Sequence, residues 1–380
     1  MQKMFTTFCV AVCLLASARI SAQLTLPPSG DNQMSAVTQW MGPVEVHITY
    51  SSPDVHGAFG EDRTGHIWGE LVPYGLSNLQ FGFSTDANPS PWRGGANMNT
   101  TIRFSHDVTV EGKPLKAGVY GLHFIPEKDV WTVIFSSNST AWGSFFYKPE
   151  EDVLRVTTKP IENTFHEWLT YSFTERQADA CTVELMWELL RVPIHIQVPD
   201  IHQVYIETFR KELQTDIGFG FQAWVDAANY CVANKVNLEE ALTWANYALE
   251  EPFFGRRNFT TLSCKAGVLK ALGKTAQSDS IMQLAIQDPT ASILDVHYYA
   301  RGLQAAKQNV EAFTVYQINY NKHPESPVTN LGLARGYSAT GDYKNALKYA
   351  KAALKLNPDP QVKQTLEQAI KTLEEGKDFN

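Results

Sequence analysis

The densest chemistry in this chain of 380 residues is the run Trp92-Arg93-Gly94-Gly95-Ala96-Asn97, with Leu71-Val72-Pro73-Tyr74-Gly75 ahead of it and Trp142-Gly143 behind it. A guanidinium forks onto a carboxylate or a phosphate through parallel N–H donors. An indole stacks on a ring or a cation. Two adjacent glycines let the backbone turn sharply enough to present these side chains together. Tyr74, Trp92, Arg93, Asn97 and Trp142 are therefore the candidate ligand-binding residues. A second reading is architectural: the indole plugs a sheet edge and Arg93 pairs with an internal acid such as Asp152. The residue types favour an acid-held Arg93 and a ligand-facing Trp92.

Other chemistries find little support. The sequence has no Gly-x-Ser-x-Gly elbow, no His-Glu-x-x-His, no Cys-x-x-Cys and no phosphate-cradling glycine loop. His47, His66, His106, His123 and His195 lie on or beside expected strands, but no spacing among them requires a shared ion. No metal and no cofactor is expected. Glu150-Glu151-Asp152 follows Pro149 and reads as a solvated turn. The catalytic alternative is a hydrolase or other enzyme on an exported substrate, with Arg93 holding an anionic group and a His or Asp as general base.

Positions 1–22 read as a secretory signal peptide. Lys3 gives the positive start, residues 8–16 are apolar and uncharged, and Ile20-Ser21-Ala22 offers a cleavage site. The apolar run is too short to span a membrane. A lipid anchor at Cys13 is disfavoured by the bulk of Val12. The reading is therefore an exported chain, periplasmic or secreted, with no stable membrane insertion. Residues 23–221 hold 13 basic and 24 acidic residues, a balance of −11, whereas residues 222–380 hold 17 and 16, or +1. An acidic front half argues against nucleic acid as a partner. Cys181, Cys231 and Cys264 remain after the leader. A bridge between Cys231 and Cys264 is one reading, and three small buried apolar residues is the other.

The elements that must position the 92–97 loop are short strands. Residues 23–43, with Pro27, Pro28, Gly30 and Gly42, read as a linker. Residues 44–50 alternate Val44, Val46, Ile48 and Tyr50 with polar residues. Further strands are expected at 101–105, 118–125, 131–135, 153–158, 168–173, 182–187 and 192–198. Turns fall at Gly112-Lys113-Pro114 and Pro126-Glu127-Lys128-Asp129. Together they predict an antiparallel β-sandwich over 44–198. Residues 199–220 read as a hinge.

Beyond it the period changes. Ala266, Ala300 and Ala334 recur at one constant step along the chain. Leu269, Leu303 and Tyr337 keep the same step, and so do Ser278, Ala312 and Ala346. This spacing resembles the tetratricopeptide repeat, a helix–turn–helix unit that stacks into a solenoid. Helical repeats are expected over 221–375, with a first pair at 221–233 and 238–250, units at 259–292, 293–326 and 327–360, and a polar capping helix at 361–375. The resemblance implies a protein partner bound by the array.

The front half carries a second resemblance. The ordered blocks Ser52-Pro53, Leu71-Val72-Pro73-Tyr74-Gly75, Trp92-Arg93-Gly94-Gly95-Ala96-Asn97, Lys116-Ala117-Gly118-Val119-Tyr120, Trp131-Thr132-Val133-Ile134-Phe135 and Trp142-Gly143 resemble a family of exported bacterial domains of unknown function. The resemblance covers about residues 44–195. It implies a boundary rather than an activity. Segments 58–65 and 76–91 look like insertions flanking the Trp-Arg block, and Asp54, His56, Ala58 and Phe59 stand where basic residues are expected. The sequence as a whole reads as a non-catalytic envelope protein. Its sandwich binds a small molecule or glycan, and its helical array binds a protein.

Overall fold

The computed structural model describes residues 32–57 and 60–380, so the expected leader and residues 23–31 of the expected linker lie outside the described residues. Two compact units divide at Ile201/His202.

In the first unit the described residues form ten antiparallel strands. Strand β2 (Val44–Ser52) buries Val44, Val46, Ile48 and Tyr50 and leaves the residues between them half-buried, as its two-residue period requires. It pairs with β1 (Gln33–Met41) from Met41↔Val44 to Gln33↔Ser52. The expected linker is therefore a strand from residue 33 onward. Most β1 side chains stay half-buried or exposed, so the hydrophobic pattern carries no signal there. Backbone pairing through a tight Gly42-Pro43 turn places it, with Gly42 at φ 56°.

One sheet runs in the order β1, β2, β3 (Thr101–Phe104), β6 (Gly118–Ile125), β7 (Trp131–Ser136) and β8 (Asp152–Thr158). The other runs β5 (Lys113–Leu115), β4 (Val108–Val110), β10 (Ala180–Gln197) and β9 (Ile161–Thr174). Tyr50 of the first and Tyr171 of the second meet edge to face at 4.8 Å. Segments 182–187 and 192–198, expected as two strands, are one long strand. It is bulged at Glu188, where φ is 51° and the register against β9 shifts.

The second unit is helical. Helices α1 (Ile201–Glu212), α2 (Phe221–Asn234) and α3 (Leu238–Glu250) precede the pairs α4 (Phe259–Ala271) and α5 (Thr275–Gln287), α6 (Ile293–Ala305) and α7 (Asn309–Lys322), and α8 (Pro327–Ala339) and α9 (Tyr343–Lys355). First helices start at Phe259, Ile293 and Pro327, and second helices at Thr275, Asn309 and Tyr343, so both series advance by the same step as the alanines. Helix α10 (Pro360–Glu374) closes the array. Ala266, Ala300, Ala334, Ala312 and Ala346 are all buried, at the close contacts their spacing predicts. The expected hinge is largely α1. Its Ile206, together with Leu213 just beyond it, is buried with Val225, Ala228 and Cys231, which makes it part of this core. Cys181, Cys231 and Cys264 are free and buried, and burial alone pushes the Cys181 thiol up to about 11. No described helix is long and apolar enough to cross a membrane.

Candidate functional site

The 92–97 loop hangs on the end of β6. Trp92 N–H donates to Phe124 O at 2.8 Å, and Phe124 N–H returns to Trp92 O at 2.7 Å. Gly94 has φ 63°, and a side chain there would run into the Phe124 ring and the Tyr171 hydroxyl. That hydroxyl instead donates to Gly94 O at 2.8 Å, and Ala96 N–H donates to Ser51 O at 3.1 Å. Glycine is required for this approach of loop to core.

The loop forms one wall of a cavity of about 360 Å³, lined by Arg63, Trp92, Arg93, Asn97, Ser144 and Trp187 among others. No Asp, Glu, His, Lys or Cys is among the lining residues. Trp92 belongs to a cluster of indoles, 5.8 Å from Trp68, 6.2 Å from Trp131 and 6.4 Å from Trp187, the last nearly parallel. The buried indole N–H groups of Trp68, Trp131 and Trp187 have no hydrogen-bond acceptor among the described residues.

Arg93 is not held by Asp152. Asp152 Oδ2 instead accepts from Arg155 Nε at 2.6 Å and from the Tyr147 hydroxyl at 2.8 Å. The Arg93 guanidinium lies 4.9 Å from the Phe145 ring centre and donates through Nη1 to Asn97 O at 2.5 Å. Among the described residues no carboxylate pairs with it, and burial lowers its pKa. Gly143, at φ 57°, clears the space the guanidinium occupies.

Behind Arg93, His123 is buried, and its Nδ1 is 2.9 Å from Ser144 Oγ. Burial, with the charge of Arg93 adding to it, brings its pKa down to about 4, so the imidazole is neutral near pH 7.

Of the five residues expected at the site, the cavity wall gathers Trp92, Arg93 and Asn97. Tyr74 and Trp142 are exposed and lie outside the lining, although their neighbours Pro73, Gly75 and Ser144 are part of it. The sequence reading missed Arg63, Ser144 and Trp187. Arg63 sits in the apparent insertion 58–65, whose end is pinned where Gly65 N–H donates to the buried carboxylate of Glu188. Trp187 looks like any strand residue in sequence, and only the Glu188 bulge beside it marks the place.

The histidines expected on strands do not converge. His47 bonds Thr38 and Thr49, His66 bonds Glu70, and His106 bonds Ser105. Among the described residues the group with ligand spacing is instead Asp54, His56 and Glu167, whose donor atoms lie within 4.8 Å of one another. His56 Nδ1 is 2.6 Å from Glu167 Oε1, and that bond raises the His56 pKa. As it stands, the cluster is an exposed hydrogen-bonded ion pair beside a second carboxylate, that of Asp54.

Fold and site together define a β domain with an arginine-lined cavity, followed by helical repeats. Residues 32–196 match the family described as protein of unknown function, DUF2911. No curated protein matches the chain. The solved structures it resembles include YrrB, described as a TPR protein with an unusual peptide-binding site. That likeness has 17% identity and a TM-score of 0.29, and covers 43% of this chain and 82% of that one. MamA from Desulfovibrio magneticus RS-1 is 16% identical with a TM-score of 0.28, over 41% of this chain and 90% of that one. These likenesses are of fold alone. The repeat register rests on the helix starts given above.

Proposed function

We propose that this chain is an exported, non-catalytic binding protein. The β domain takes a small molecule in the cavity beside the 92–97 loop, and the helical repeats engage a protein partner. Export rests on the leader at positions 1–22, and the partner on the repeat architecture with exposed apolar residues such as Leu294, Tyr298 and Val310. The observation that carries the binding reading is the cavity wall itself. It offers two guanidinium groups, two indoles and two amides but no Asp, Glu, His, Lys or Cys to move a proton.

The test is a thermal-shift screen of sugars, amino acids and organic acids on the full chain. A bound ligand raises the melting temperature by mass action. The rise should disappear in Ala96→Phe, which fills the cavity. A screen with no shift, or a shift that survives Ala96→Phe, overturns the reading.

One contact favours a second reading, a hydrolase. Ser144 lines the cavity, and its hydroxyl touches His123. Against it, both side chains are buried, and an imidazole with a pKa near 4 is a weak base at neutral pH. Turnover of an ester substrate that is lost in Ser144→Ala would favour this reading over the first.

A further inference from the structure

We propose that the cavity takes a small organic anion, its carboxylate or phosphate gripped by Arg63 and Arg93 and its apolar or planar body laid against Trp92 and Trp187. The inference rests on the reading of this cavity as a ligand site and assigns the chemistry of what fills it.

The first argument is a missing counterion. Elsewhere in the chain Arg103 pairs with Glu45, Arg155 with Asp152, Arg191 with Glu184 and Arg210 with Glu240. Arg93 is largely removed from water, yet among the described residues it has only the Phe145 ring and one backbone carbonyl. A buried cation without an anion is costly. An incoming carboxylate or phosphate removes that cost and gains a forked, charge-assisted contact. One of the five guanidinium N–H donors is spent on Asn97, and Nε and Nη2 donate to no described residue.

The second argument is the composition of the wall. Two guanidinium groups line it and no carboxylate does. Arg63 is placed there by structure: its N–H donates to Val55 O at 2.9 Å, and Glu188 anchors the loop at Gly65. Among the described residues its ion-pair contact is with Glu61 of the same loop, long at 3.8 Å. Trp187 adds an indole N–H with no acceptor among the described residues. The hydroxyls of Ser77 and Ser144 and the amides of Asn32 and Asn97 both give and accept, but the charged groups of this wall only donate. A neutral glycan leaves the positive charge of Arg63 and Arg93 unanswered. An anion supplies only acceptors. Leu71, Val72, Pro73 and Leu79 add apolar surface to the wall, which suits an organic body rather than a bare ion.

The experiment is calorimetric titration of the full chain with benzoate, phenyl phosphate and the neutral benzamide. At least one anion should bind, about tenfold or more tightly than benzamide, and more weakly as salt is added. The stronger of the two anions distinguishes carboxylate from phosphate. Arg93→Gln and Arg63→Gln should each lower that affinity about tenfold. The Arg63 side chain is a third exposed, so its variant stays folded and carries the test even if Arg93→Gln does not. Benzamide binding as tightly as the anions, or anion affinity unchanged in Arg63→Gln, overturns the anion assignment and leaves the cavity as a ligand site. Failure of all three probes to bind overturns the anion assignment too, and a blank thermal-shift screen then removes the ligand site with it.

Discussion

The guanidinium of Arg93 lies 4.9 Å from the centre of the Phe145 ring, and this ring, rather than an acid, covers it. The relationship changes what a substitution does. When an arginine holds a buried acid, its removal strands a charge at a cost of roughly 3–5 kcal/mol. Arg93→Ala strands none. It should cost about 1 kcal/mol, the worth of the ring contact and one hydrogen bond to a carbonyl. Arg155→Ala is the contrast, because it leaves Asp152, whose side chain is 8% exposed, with only the Tyr147 hydroxyl. That variant should cost about 3 kcal/mol. Urea denaturation of both variants checks the order, and a larger loss for Arg93→Ala means that an acid holds it after all.

His123 makes the β domain sensitive to acid. Its pKa is about 4 in the fold and 6.5 in an open chain, so the unfolded state binds the extra proton between those values. The stabilisation is complete above about pH 6.5 and is lost progressively as the pH falls toward 4, by about 3 kcal/mol in all. Denaturation midpoints followed by tryptophan fluorescence across that window should fall with pH. In His123→Asn the slope should flatten, and an unchanged slope assigns it to other groups.

The repeat register predicts which alanines cannot grow. Ala300 and Ala334 are fully buried, whereas Lys348 is exposed with its amine over Tyr349. Ala300→Leu or Ala334→Leu should cost about 1–3 kcal/mol by overpacking. Lys348→Ala should cost within about 0.5 kcal/mol. Equal losses in chemical denaturation would contradict the register.

The helical fragment should begin at residue 202 and not at 221. Starting at 221 deletes Ile206 and Leu213, which are buried among Val225, Ala228 and Cys231, and the partly buried Phe209 beside them. Each large apolar side chain contributes about 2 kcal/mol on burial. Residues 202–380 should therefore melt cooperatively and well above residues 221–380. Identical melting curves would mean that α1 adds nothing to the array.

What could be read in the sequence follows from where the signal is periodic. The constant step between Ala266, Ala300 and Ala334 located the helix starts because each small residue meets its equivalent contact in every unit. Strand β2 was legible because one of its faces is buried. Strand β1 was not, because pairing with β2 holds it while most of its side chains stay solvated. The boundary at 199–220 failed for a related reason. Gly218 and Gly220 suggested a hinge, but the side chains of α1 decide where it packs. At the site, Trp92, Arg93 and Asn97 were legible as an unusual cluster on one loop. Arg63 and Trp187 lie far from Arg93 along the chain, one before it and one after, and are brought in by the Glu188 bulge and its hold on Gly65. Nothing local in sequence announces such a contact. The acid partner expected for Arg93 was wrong because Asp152 is taken by Arg155, a neighbour on the same strand.

Gly143 offers the sharpest test of where Arg93 sits. It has φ 57°, and a methyl group there would fall inside the Arg93 guanidinium. Gly112 also has positive φ, 74°, but a methyl group there meets open space. Gly112→Ala should therefore cost only the backbone term, about 1 kcal/mol. Gly143→Ala should cost that and a further 1–3 kcal/mol, roughly, from the clash. Shortening the arginine removes the obstacle, so Arg93→Ala should rescue part of the Gly143→Ala loss. In a double-mutant cycle the two changes should couple by about 1 kcal/mol or more, with the pair less destabilised than the sum of its parts. The Gly112→Ala and Arg93→Ala pair should be additive within about 0.5 kcal/mol. If both cycles are additive, Arg93 does not occupy the space beside Gly143, and the cavity wall on which the anion assignment rests is built differently.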